Sequence, residues 1–167
     1  MAVEFSGTIR AELALKLLNV LDLSTAEDFL VLQLVLQFTN GTGADQANAI
    51  WHDRRTIGAG LNETLDLNDP ANTLTDAFGR ELEFTKVRLM ILRLVSETGA
   101  LKIEPTATGW VSAFLNDINM GAGGWMVLYA PTVTAYSVAE PANDKIRITE
   151  TSGAASVTYD IVFVGNQ

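Results

Sequence analysis

The 167 residues are 48% apolar and 19% charged, enough for one sizeable core and one domain. Lysines and arginines number 11 against 20 aspartates and glutamates, and a formal charge of −9 lacks the basic footprint of non-specific nucleic-acid binding. Cysteine is absent and His52 is the single histidine, which excludes thiol catalysis, disulfides, thiolate metal sites and multi-histidine zinc sites.

Residues 1–7 read as a loose N-terminal arm, and Met1–Thr8 carry no basic start followed by an apolar stretch, so no signal peptide is expected. In the first half two periodicities compete. Ile9, Ala11, Leu13, Leu15 and Leu17 alternate with Arg10, Glu12, Ala14 and Lys16 as in a strand, although the same stretch is built of good helix formers. Leu30, Leu32, Leu34, Leu36 and Phe38 stand opposite Val31, Gln33, Val35 and Gln37, while Ser24-Thr25-Ala26-Glu27 has the spacing of a helix capping box. The unbroken alternation, followed directly by Asn40-Gly41 as a hairpin turn, favours strands.

Leu74–Phe78, stopped by Gly79, reads as one short helical turn. Phe84–Val95 is a strand with an apolar centre on both faces, as if covered on each side. The longest uncharged run, Ile118–Ala139, is interrupted by Gly121, Gly123, Gly124 and Pro131, so it reads as strands and turns rather than a membrane span. Within it, Trp125–Ala130 is one short strand. Lys145–Thr149 and Thr158–Val164 alternate, and Thr151–Ala155 reads as a hairpin connection between them. Short strands at this spacing predict an all-β protein, a single antiparallel β-sandwich of jelly-roll type over residues 1–167 with one short helical turn. A soluble protein without a membrane partner is expected.

Candidate chemistry is sparse. Gly58-Ala59-Gly60 lacks the third glycine of a dinucleotide fingerprint, and Gly121–Gly124 does not open a helix, so both read as turns. Asp66, Asn68, Asp69, Asn72 and Asp76 form an oxygen-rich stretch, but a calcium loop starting at Asp66 would meet Pro70 and Ala71 where a ligand and a glycine are needed. Asx residues are common in loops for their own backbone bonds, so that stretch reads as structural. His52 and Asp53, adjacent on a strand, point to opposite faces and make no dyad. Arg54 and Arg55 are expected to pair with carboxylates of this chain or a neighbouring one rather than with phosphate. Ser112 and Ser137 lie in no nucleophile-elbow context. Trp51, Trp110 and Trp125 each border a strand, and packing in a core or interface is their default over a carbohydrate platform. No catalytic, cofactor-binding or metal site is expected, and no enzyme.

One ordered series of short pieces carries a resemblance. It runs Asn40-Gly41-Thr42-Gly43, Gln46-Ala47-Asn48, Trp51-His52-Asp53-Arg54-Arg55-Thr56-Ile57, Asn62-Glu63-Thr64-Leu65-Asp66-Leu67 and Leu74-Thr75-Asp76-Ala77-Phe78-Gly79. It continues with Phe84-Thr85-Lys86-Val87 and ends in Thr158-Tyr159-Asp160-Ile161-Val162 and Gly165. In order and spacing this series, spanning roughly residues 38–167, resembles small β-sandwich virion proteins of tailed bacteriophages, placed among head or tail structural components. The resemblance implies a structural virion protein assembled in the host cytoplasm. Its first form is a capsid decoration or cement protein contacting the major capsid protein or other virion proteins. The alternative is a tail or receptor-binding component contacting a host surface glycan.

A two-layer sandwich covers one face of each sheet, so the doubly apolar strands Phe29–Phe38 and Phe84–Val95 need a further cover. A copy of the chain is the expected one, and closed symmetry on a quasi-icosahedral surface favours a homotrimer.

Overall fold

In the segment Lys145–Glu150 every second side chain is buried, and Ile146 and Ile148 are inaccessible to solvent. The same period of two opens the segment Val157–Asn166, because β-branched and aromatic side chains alternating with less buried ones fit a pleated surface covered on one side. A computed structural model of the protein describes residues 4–20, 25–70, 74–105, 109–110 and 116–167, with side chains except at 17–20, 25–28 and 105. Among these residues there are 14 strands and no helix, hence no helix long and apolar enough to cross a membrane.

In chain order the strands begin with β1 (Gly7–Val20), β2 (Thr25–Asn40), β3 (Gln46–Ala47), β4 (Ala49–Ile57) and β5 (Asn62–Asp66). Next come β6 (Leu74–Thr75), β7 (Glu81–Leu82), β8 (Lys86–Leu94), β9 (Ala100–Pro105) and β10 (Ile118–Gly121). The last are β11 (Trp125–Tyr129), β12 (Tyr136–Ser137), β13 (Lys145–Glu150) and β14 (Val157–Asn166). Two four-stranded antiparallel arrays form the body, β11-β8-β14-β4 and β10-β9-β13-β5, with β12 added beside the start of β8. The pairing is concentric: among the eight strands of these arrays the first pairs with the last, the second with the seventh, the third with the sixth and the fourth with the fifth. Their inner faces share one core, in which Leu92, Leu94, Ile161 and Phe163 of one sheet meet Leu101, Ile103, Ile146 and Ile148 of the other. Each such side chain contributes about 1.5–3 kcal/mol by leaving water.

The first half is strand, as its alternation indicates: β1 and β2 pair antiparallel in one long hairpin, from Gly7↔Phe38 to Val20↔Thr25. Ser24, the first residue of the capping-box reading, lies outside the described residues. Asn40-Gly41 does turn the chain but does not close an antiparallel hairpin. It leads into β3, which runs parallel to the end of β2, and Gln46 Oε1 accepts the Gly43 N–H at 2.8 Å to hold the loop.

Two other expectations are corrected. Leu74–Phe78 is not a helical turn: Leu74–Thr75 is β6, paired with β7, and the connection is braced by Asp76, whose Oδ1 accepts the N–H groups of Phe78 and Arg80. An aspartate bonding the backbone N–H two residues on is a common brace of tight turns, and here it serves a hairpin. Thr151–Ala155 does not join a hairpin either, because β13 and β14 lie in different sheets and the segment crosses between them.

The second apolar face of β8 is covered from within the chain. Leu89 and Val164 pack with Phe38 and Ala47 in a second buried cluster, flanked by Phe5, Ile9, Ile91, Tyr129 and Val162. That cluster also docks the N-terminal segment, where Phe5 meets Phe38 edge-on at 6.3 Å. A β-bulge makes the junction possible. Val164 pairs with Leu89 but Gly165 with Val87, so Arg88 is the extra residue of β8. At Gly165 the strands approach so closely that a Cβ would stand 2.0 Å from the Lys86 carbonyl oxygen, and only glycine fits.

Candidate functional site

The outer part of the β1–β2 hairpin is the most unusual surface of the protein. With 14 and 16 residues, the strands reach about 45 Å at the usual rise per residue. On one face the cross-strand pairs are Ile9↔Leu36, Ala11↔Leu34, Leu13↔Leu32 and Leu15↔Leu30, apolar throughout. At its base this face joins the second buried cluster through Phe38 and Ile9. Beyond Leu36 it is bare: Leu13, Leu15, Leu30, Leu32 and Leu34 are each about half exposed. The opposite face mixes Arg10↔Val35, Glu12↔Gln33, Ala14↔Val31 and Lys16↔Phe29, and Gln33 Nε2 donates to Glu12 Oε2 at 3.0 Å. An isolated two-stranded hairpin is marginal in water, and a contiguous apolar face of this kind marks an interaction site.

The polar residues singled out in the sequence are dispersed over the body. His52 is exposed on β4, opposite Val162 of β14, and borders a cleft of about 220 Å³ with Ile50 and Phe78. Asp53 faces the other way and binds Arg55 Nη1 at 2.9 Å. Arg54 forks onto Asp160 at 2.6 and 2.9 Å, and Arg55 Nε donates to Glu63 at 2.5 Å, so both arginines pair with carboxylates of this chain, as expected. Glu63 also accepts the Tyr159 hydroxyl at 2.7 Å, which ties the two sheets together at that edge.

The tryptophans separate into two kinds. Trp51 is buried and stacked on Phe163, and Trp110 is buried edge-on to Phe163 with its indole N–H donating to the Ser137 carbonyl. Trp125 is 63% exposed, with the Arg93 guanidinium 5.0 Å above its ring. The glycine pairs sit in turns, with positive φ at Gly60 and Gly123. Ser112 and Asn72 lie outside the described residues.

Asp66, weighed and set aside in the sequence as the start of a calcium loop, belongs to an acidic group that its own stretch does not supply. Asp66, at the end of β5, meets Glu140 and Asp144 from the turn before β13, and one carboxylate oxygen of each lies within 4.8 Å of the others. Asp144 is inaccessible to solvent, and neither of its carboxylate oxygens has a hydrogen-bond partner. Lys145 Nζ stands 3.0 Å from Asp66 Oδ2 and 3.9 Å from Asp144 Oδ2. The facing Asp144 carboxylate, then desolvation, pushes the Glu140 carboxyl above its ordinary range. The signal was invisible in the sequence because Asp66 and the Glu140–Asp144 pair are brought together by the β5–β13 pairing alone. All donors are oxygens, the set that suits a hard divalent cation.

No family model, curated protein or solved structure matches the chain.

Proposed function

We propose that this chain is a structural protein of a tailed-bacteriophage virion that associates with copies of itself, a homotrimer, through the β1–β2 hairpin. The apolar cross-strand pairs from Ala11↔Leu34 to Leu15↔Leu30 carry the self-association reading, because they leave the body exposed and continuous with a buried cluster. A copy of the chain offers the same apolar face in return, and a closed ring satisfies every arm without open-ended growth. The interface is narrower than the sequence suggests, since β8 spends both faces inside the chain.

The virion assignment rests on the ordered motif series of residues 38–167 and on the concentric strand pairing, which we read as a jelly roll, a fold shared by capsid and lectin domains. As a decoration or cement protein on the head it would bind the assembled shell and not its free subunits, stabilising the shell by mass action. The glycan-binding alternative has a single exposed tryptophan to offer, Trp125, because Trp51 and Trp110 are in the core. Quantitative staining of purified particles, with binding to empty shells, tests the reading. Copies on the order of hundreds per particle fit a decoration protein, since closed shells repeat each surface position many times. A few copies at the tail would favour the alternative, and absence from the particle would overturn both.

A further inference from the structure

We propose that Asp66, Glu140 and Asp144 form a divalent-cation site, with calcium as the ion. Asp144 is the observation that points to one. A fully buried carboxylate without any hydrogen-bond donor is strongly disfavoured, and proteins pair such groups or bind a metal with them. The main chain holds Asp144 in place: its carbonyl accepts the Leu67 N–H at 2.8 Å and the next residue begins β13. The nearest cation, Lys145, is committed to Asp66 at 3.0 Å and stays 3.9 Å from Asp144. Three carboxylates against one ammonium leave two negative charges, the charge that a divalent ion offsets.

The donor set selects the ion. Carboxylate oxygens without imidazole or thiolate favour calcium or magnesium over zinc or copper. Calcium accepts irregular, partly bidentate carboxylate shells, whereas magnesium demands near-ideal octahedral geometry and keeps much of its water. Here two ligands are buried and fixed, while the third, Glu140, is exposed and free to adjust. A bound ion would clip the 139–144 turn to the end of β5.

Calorimetric titration of chelator-stripped protein with calcium chloride, with melting curves at matched ionic strength, is the test. We expect one ion per chain, a dissociation constant between about 10 μM and 1 mM, and a melting temperature raised by about 5 °C at saturation. Glu140→Gln, an exposed change that leaves folding intact, should weaken binding at least about tenfold, by analogy with losses at metal-site partners. Asp144→Asn should abolish it. Absence of binding at millimolar calcium would overturn the proposal, as would unchanged affinity in Glu140→Gln. Magnesium binding with equal affinity would overturn the choice of ion.

Discussion

Arg88 and Asn166 are locked together in the interior, with Arg88 Nε donating to Asn166 Oδ1 at 3.0 Å and both residues buried. The remaining guanidinium nitrogens reach the carbonyl oxygens of Thr42, Pro131 and Thr132, and Asn166 Nδ2 donates to the Gly41 carbonyl at 2.8 Å. The bulge that places Arg88 on this side therefore fastens the loop after β2, the loop after β11 and the end of β14 at one point. That point is the root of the exposed hairpin.

Replacing Arg88 by leucine leaves these acceptors unpaired and should destabilise the fold by about 2–4 kcal/mol. In a domain of this size the melting temperature should fall by roughly 5–15 °C. Thermal unfolding by circular dichroism checks it. An unchanged melting temperature would mean that the buried guanidinium is replaceable by packing alone.

Gly165→Ala addresses the same junction from the other strand. The added methyl would meet the Lys86 carbonyl oxygen at 2.0 Å, and backbone atoms cannot swing aside as a side chain can. A loss of at least about 2 kcal/mol is expected in urea unfolding. The equivalent change at Gly121, where a Cβ meets nothing within 4 Å, should be far milder.

Glu150 supplies a pH dependence. Its carboxylate accepts the Ser152 hydroxyl and the N–H groups of Gly60, Ser152 and Gly153, which hold its pKa down to about 2 from an ordinary 4.5. A pKa lower in the folded state means that the contribution is fully present above the unfolded value and is lost as pH falls from about 4.5 to about 2. Glu150→Gln should therefore be less stable than the parent at neutral pH, with the gap closing across that acid range. A gap independent of pH would contradict the assignment.

Much of this architecture was legible because β-structure writes itself in a period of two. Ile146 and Ile148 announced an inward face, and the centre of β8 announced two covered faces. What covers a face is a different matter: Phe38, Ala47 and Val164 lie far from β8 in sequence, so the intramolecular cover of Leu89 could not be read from β8 alone. Leu74–Phe78 misled for a local reason, since a five-residue segment stopped by a glycine suits a helical turn and one arm of a tight hairpin alike. The Asp66, Glu140 and Asp144 group was hidden because no spacing rule links a carboxylate at a strand end with two in a distant turn.

The exposed apolar face of the β1–β2 hairpin is the proposed interface between copies of this chain. Light scattering coupled to size exclusion at micromolar concentration tests it on the parent and on the Leu13→Lys, Leu32→Lys double variant, which places two like charges directly across the hairpin. The expected result is a parent particle of three times the 18.0 kDa chain mass and a monomeric variant with an unchanged circular dichroism signature for the body. A parent that remains a stable 18.0 kDa monomer would contradict it.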